Sequence, residues 1–148
     1  MREMSVKTTT IHPRIISDET IWSQSDFKAL YFQKLLKNTN YVLCSVSAAE
    51  YLGLCNCTTA IETYVLSKEE CIANNIQIVS TDGTLHTDIS QTINDLLADK
   101  TMDEQVILES LADQYFKNNY ADITITPDNQ AAFNYYKPMA EMYYHSEI

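Results

Sequence analysis

The stretch YVLCSVSAAEYLGLCNC, Tyr41 to Cys57, runs from a short apolar segment directly into an alanine-rich one and carries three of the four cysteines. In YVLCS the apolar residues sit on both sides of a period of two, as in a strand covered on both faces. Ser47 and Glu50 are spaced as a capping box, so a helix of about two turns is expected to follow, ending at Gly53. A buried strand feeding a helix at this point implies a sheet with helices packed on it.

The rest of the chain extends that reading. AIETYVLS, residues 60–67, alternates as a strand, and Ser67 with Glu70 forms a second capping box for a short helix through Cys71 and Ile72. Residues 76–80 read as another strand, and Thr81-Asp82-Gly83-Thr84 as a hairpin turn into Thr84–Thr87. Upstream, residues 25–38 read as a helix with Ser25 as its N-cap. Residues 1–20 show no period and are expected to form an arm or edge strand, with residues 21–148 as one domain.

The second half is richer in helix. Ile89, Ile93, Leu96 and Leu97 share an inner stripe, which places Asp88, Asp95 and Asp99 on the outside. Thr101 and Glu104 are spaced as a third capping box before a helix that buries Ile107, Leu108, Leu111 and Tyr115. ADITIT, residues 121–126, reads as a strand or extended link. Thr126, Pro127 and Asp128 then open a last helix that Pro138 is expected to kink or interrupt. The expected fold is a single α/β (α+β) domain: a small mixed sheet of three to five strands packed with helices, its C-terminal half helix-rich. The pairs Tyr135-Tyr136 and Tyr143-Tyr144 cannot point the same way on a helix, so some of these rings are expected at the surface or against a partner.

Charge narrows the function. The chain has 148 residues and a formal net charge of −10. Residues 1–40 hold six basic groups against four acidic ones, whereas residues 41–148 hold sixteen carboxylates against four lysines. An anionic body of this kind repels nucleic acid and favours a basic protein partner. With no apolar run near the roughly 18 residues of a membrane helix and no apolar leader, a cytoplasmic location is expected. The cysteines are then expected as thiols.

Candidate chemistry is sparse. Cys55, Cys57, Cys71 and Cys44 could together hold zinc, although the C-x-C spacing departs from the usual C-x2-C and buried thiols are common. The serines of CSVSAAE stand at a strand-to-helix turn, as in a nucleophile elbow, but without its glycines; capping explains Ser47 better. His12, His86 and His145 lie far apart, and two glycines cannot build a phosphate loop. No enzyme is expected. Asp88, Asp95, Asp99, Glu109 and Asp113 on successive helices are the candidate partner-binding residues.

Residues 40–120 resemble the C-terminal domain of abortive-infection antitoxins of the type IV toxin–antitoxin family. The family's strand leads into a helix of the S-A-L-x-x-L-G-L kind, matched by Ser47, Ala48, Ala49, Leu52, Gly53 and Leu54, and its later helix carries an apolar-Leu-Leu stretch, matched by Ile93, Asn94, Asp95, Leu96 and Leu97. The resemblance implies a non-enzymatic domain whose partner is a nucleotidyltransferase toxin. Two departures qualify it: residues 1–40 are too short and too weakly basic for the family's DNA-binding winged helix, and Gln91 stands where an arginine often begins the later helix. A second expectation from the anionic body is a phage-encoded inhibitor of a CRISPR nuclease or another nucleic-acid-handling defence enzyme, occupying a basic channel.

Overall fold

The computed structural model describes residues 12–56 and 61–145. Residues 1–11 of the expected arm lie outside the described residues, as do the side chains of Tyr143 and Tyr144. The described residues form a mixed sheet of five strands, β1 (Arg14–Ile16), β2 (Tyr41–Leu43), β3 (Thr63–Ser67), β4 (Ile78–Thr81) and β5 (Thr84–Thr87), in the order β1-β3-β2-β5-β4. The β1–β3, β3–β2 and β5–β4 pairs are antiparallel, and β2 meets β5 in parallel through Leu43 and His86. The helices are α1 (Glu19–Ser23), α2 (Lys28–Leu36), α3 (Ser45–Tyr51), α4 (Lys68–Ala73), α5 (Ile89–Ala98), α6 (Glu104–Asn118) and α7 (Gln130–His145), with a 3-10 turn over Pro127–Asn129. The expected α/β class holds.

The alternation of β2 explains its place in the sheet. Leu43 packs with Val65, Tyr31, Phe32 and Ala48 on one face, while Val42 and Cys44 pack with Leu66 and Cys71 on the other. Both faces are therefore covered, by α2 and α3 on one side and α4 on the other. The inner stripe of α5 meets α6 and α7 in a separate helical layer built on Ile93, Leu96, Leu111 and Phe133. The β4–β5 hairpin turns through Asp82 and Gly83, both at positive φ (53° and 83°). That is the type I′ geometry whose twist matches the flanking strands.

Three expected caps are replaced by other contacts, each for a local reason. Ser67 and Glu70 do form a capping box. Ser47 does not cap: the N-cap of α3 falls three residues earlier, at Cys44, and the Ser47 hydroxyl, fully buried, accepts the Tyr64 N–H at 2.8 Å, joining α3 to β3. Thr101 gives way to Asp103, which accepts from Gln105 N–H. Ser25 donates its hydroxyl to the Ile21 carbonyl at the end of α1, and α2 begins after Phe27. The five residues of α1, capped by Asp18, are too few to show a period, and they straddle the expected boundary between the arm and the domain at residue 20. ADITIT forms no strand. Helix α7 runs unbroken through Pro138, because Pro138 and Asn134 both lie on the exposed side, where the carbonyl that loses its donor can be hydrated.

One ion pair ties α2 to α3. Lys28 Nζ lies 3.2 Å from Glu50 Oε1 and packs near the rings of Trp22 and Phe32. Burial raises the Glu50 pKa and the lysine opposes the rise. Lys28→Ala strands a carboxylate whose side chain is only 7% exposed. The expected loss is roughly 2–4 kcal/mol in urea unfolding at pH 7. A loss under about 0.5 kcal/mol would show the pair to be incidental.

Candidate functional site

The turn from β2 into α3 has no spacer, so the chain reverses direction within Cys44 and Ser45. Ser45 meets this demand with φ +54°, a left-handed conformation that non-glycine residues adopt at a cost of about 1–2 kcal/mol. The structure thus supplies at Ser45 the backbone twist for which glycine was missing. Its N–H lies close enough to the carboxylate of Asp95 on α5 to favour the charged form of the acid. The same turn forms one wall of a cleft of about 590 Å³, and α5 forms another through Gln91, Asn94, Asp95 and Asp99.

Asp95 is the chemically distinctive group there. It stands one turn after Gln91, whose Nε2 donates to Asp95 Oδ1 at 2.9 Å. Burial pushes the Asp95 pKa up to about 6; the Gln91 and Ser45 donors oppose the rise, and the charge of Asp88 adds to it. At pH 7 the group is mainly ionised, and among the described residues no lysine or arginine forms an ion pair with it. It therefore presents a carboxylate held by neutral donors in a recess open to solvent.

Asn94 fixes the adjoining wall. Its Nδ2 donates to the Ser90 and Thr124 carbonyls, while its Oδ1 accepts from Thr126 N–H, the Thr126 hydroxyl and Asn129 Nδ2. Asn129 Nδ2 also reaches the Asn94 carbonyl at 3.2 Å. One side chain thereby fastens the link after α6 to α5. The buried asparagines carry the shape of the cleft, a role that residue spacing alone does not signal.

The five acidic candidates separate into different places. Asp95 and Asp99 line the same cleft. Asp99 is exposed and accepts the Thr101 N–H and hydroxyl through Oδ1. Asp88 caps α5 by accepting from Gln91 N–H and borders a second, smaller hollow with His86 and Asp122. Glu109 accepts from Asn56 N–H and Gln105 Nε2. Asp113 pairs with Lys117 at 3.5 Å and accepts from Gln114 Nε2. The expectation that Asp95 lies on the outer side of its helix is corrected: the β2–α3 turn folds over that part of α5 and recesses it.

The described cysteines divide between two layers. Cys44 and Cys71 share the cluster on one sheet face, whereas Cys55 packs with α5, α6 and α7. Cys57 lies outside the described residues. No three metal-ligating side chains gather among the described residues. Burial raises the Cys44 thiol well above its ordinary pKa, with Asp95 adding to the effect, and pushes Cys71 up to about 11. Both are neutral thiols at pH 7, poor nucleophiles. His86 is buried with its ring nitrogens 2.8 Å from the Thr81 hydroxyl and 2.8 Å from the Thr87 carbonyl; the carbonyl can only accept, so Nδ1 carries the proton.

Compared with protein-family models, with curated proteins and with solved structures, the chain matches none.

Proposed function

We propose that the chain is a non-enzymatic, antitoxin-like binding domain that takes a cationic side chain of a basic protein partner into the cleft between α5 and the β2–α3 turn. The observation that carries this reading is the recessed carboxylate of Asp95 in the cleft wall, which accepts from Gln91 Nε2 and has no ion-pair partner among the described residues. An arginine or lysine entering there would gain a charge-assisted bond in a site that already bears the desolvation of the acid. Asp99, one turn further on α5, extends the attraction to the rim. Asp88, Glu109 and Asp113 add long-range attraction, and their engagement in caps and local bonds makes them secondary contacts.

The neutral thiols of Cys44 and Cys71 and the fully engaged ring of His86 support binding over catalysis. The resemblance to abortive-infection antitoxins points to a nucleotidyltransferase-type toxin as the partner. The anionic body equally suits a nuclease whose nucleic-acid channel is basic, which makes the chain an inhibitor of a defence enzyme.

The test is a pull-down with a nucleotidyltransferase toxin and, separately, a CRISPR nuclease, using the wild type and Asp95→Asn/Asp99→Asn. The double variant is expected to bind at least about tenfold more weakly, and the salt dependence of binding is expected to flatten. Unchanged affinity and unchanged salt slope would remove the cleft from the interface. Whichever enzyme is retained by the wild type identifies the partner class.

A further inference from the structure

Asn129, in the 3-10 turn before α7, lines the cleft and is only 9% exposed. Its Nδ2 reaches three oxygens: the Asn94 carbonyl at 3.2 Å, Asn94 Oδ1 at 2.9 Å and the Thr126 hydroxyl at 3.1 Å. Those contacts fix which end of the amide is which. They leave Oδ1 as the free end, and among the described residues it accepts no hydrogen bond. Nor is it sealed in: among the described residues the side-chain oxygens closed off from both partner and solvent are Ser110 Oγ and Gln114 Oε1. A largely buried oxygen left unpaired beside a cavity is an acceptor available to whatever enters.

The α5 wall repeats the pattern. Gln91 commits Nε2 to Asp95 Oδ1 at 2.9 Å, and its Oε1 takes no donor from the described residues. Asp99 spends Oδ1 on Thr101 and keeps Oδ2 free. Asp95, Asp99, Gln91 and Asn129 thus offer acceptors on more groups than the three N–H of an ammonium can meet, whereas a guanidinium spreads five N–H over a planar fork. The ammonium also holds its water more tightly, so a recess costs it more. Pro13, Leu66, Ile76 and Ala98 supply apolar surface along the cleft for a methylene stem.

Given a cleft that takes a cationic side chain, as proposed above, we infer that this side chain is an arginine, with the Asp95 carboxylate facing its charge and Asn129 Oδ1 and Gln91 Oε1 accepting its remaining N–H groups. A lysine would reach Asp95 and leave both amide oxygens unpaired in the recess. The carboxylates therefore supply attraction, and Asn129 and Gln91 supply the choice between the two cations. An arginine-to-lysine exchange on the partner is not conservative at such a site.

NMR titration of the full chain with three small cations tests this: the Nα-acetyl methylamides of arginine, lysine and Nω,Nω-dimethylarginine. The last keeps the charge and loses donors to its methyl groups. The arginine probe is expected to bind in roughly the millimolar range and at least about fivefold more tightly than either of the others, shifting the side-chain amide signals of Asn129 and Gln91. Asp95→Asn/Asp99→Asn is expected to weaken all three. Equal affinities for the three probes, or a preference for lysine, both lost in the double variant, overturn the choice of arginine and leave the cation-binding reading of the cleft standing. An arginine preference that leaves the Asn129 and Gln91 amide signals unmoved removes these two residues as its cause and overturns the inference. No binding by any probe up to about 100 mM, or binding that the double variant leaves unchanged, overturns both readings.

Discussion

Asp95→Asn is expected to be more stable than the wild type at pH 7, by roughly 1–3 kcal/mol, and at the same time to lose partner binding. The stability half follows from linkage. A carboxyl whose pKa is raised from 3.8 to about 6 on folding favours the folded state when protonated. That contribution is complete below pH 3.8 and disappears as the pH rises through about 6, so above pH 6 the folded chain carries an unfavourably placed charge. Every tenfold gain in proton affinity on folding is worth about 1.4 kcal/mol, which sets the upper part of the range. Asparagine has nearly the same shape and keeps an oxygen to accept from Gln91 or Ser45, but has no charge to desolvate. Urea unfolding at pH 4 and pH 8 checks it: the gain is expected to be small at the lower pH and full at the higher. A variant no more stable than the wild type at pH 8, or equally favoured at both, would show that Asp95 is not strained by burial. Stability gained where binding is lost is the pattern of a residue kept for function.

The second large effect is expected at the neighbouring position with the opposite sign. Asn94→Ala removes five hydrogen bonds and leaves the Thr126 N–H without its acceptor and the Thr124 carbonyl without its donor, while Asn129 Nδ2 keeps the position-94 carbonyl and the Thr126 hydroxyl. A buried polar group deprived of its partner costs about 1–3 kcal/mol, and hydration at the exposed Thr124 and Thr126 keeps the penalty within that range. A total loss of roughly 1–3 kcal/mol is expected in urea or thermal unfolding. Because the same bonds fix the wall of the cleft, partner affinity is expected to fall even under conditions where the variant is folded. A loss below about 0.5 kcal/mol would mean that water replaces the asparagine with little penalty.

Adjacent residues of one helix thus play opposed parts, and this bears on what a sequence can reveal. The strands, the Asp82-Gly83 hairpin and the long stripe of α5 were legible because periodicity and turn chemistry are local. The cap at Ser67 was legible for the same reason. Ser47 carries the same spacing signal, but the hydrogen bond that wins comes from Tyr64, seventeen residues away. Asp95 was legible as an acid on α5 and illegible as a recessed one. Its burial depends on where the β2–α3 turn crosses α5, and that crossing rests on a serine in a conformation with no sequence signature. The parts that Asn94 and Asn129 play are decided by partners 30 to 35 residues apart. No window of local pattern contains both ends of such a bond.

The parallel meeting of β2 and β5 also has a kinetic consequence. The sheet consists of two antiparallel ribbons, β1-β3-β2 and β4-β5, that touch along one seam at Leu43 and His86. The two-residue turn of β4-β5 closes quickly, whereas the seam joins residues 43 positions apart and has to await the search of the intervening chain. The pairing of β1 with β3, between residues 47 to 51 positions apart, carries a similar search, so both long closures are expected to follow the β4-β5 hairpin. The hydroxyl-tethered ring of His86, locked between Thr81 and Thr87 within its own hairpin, is in place before its ribbon docks.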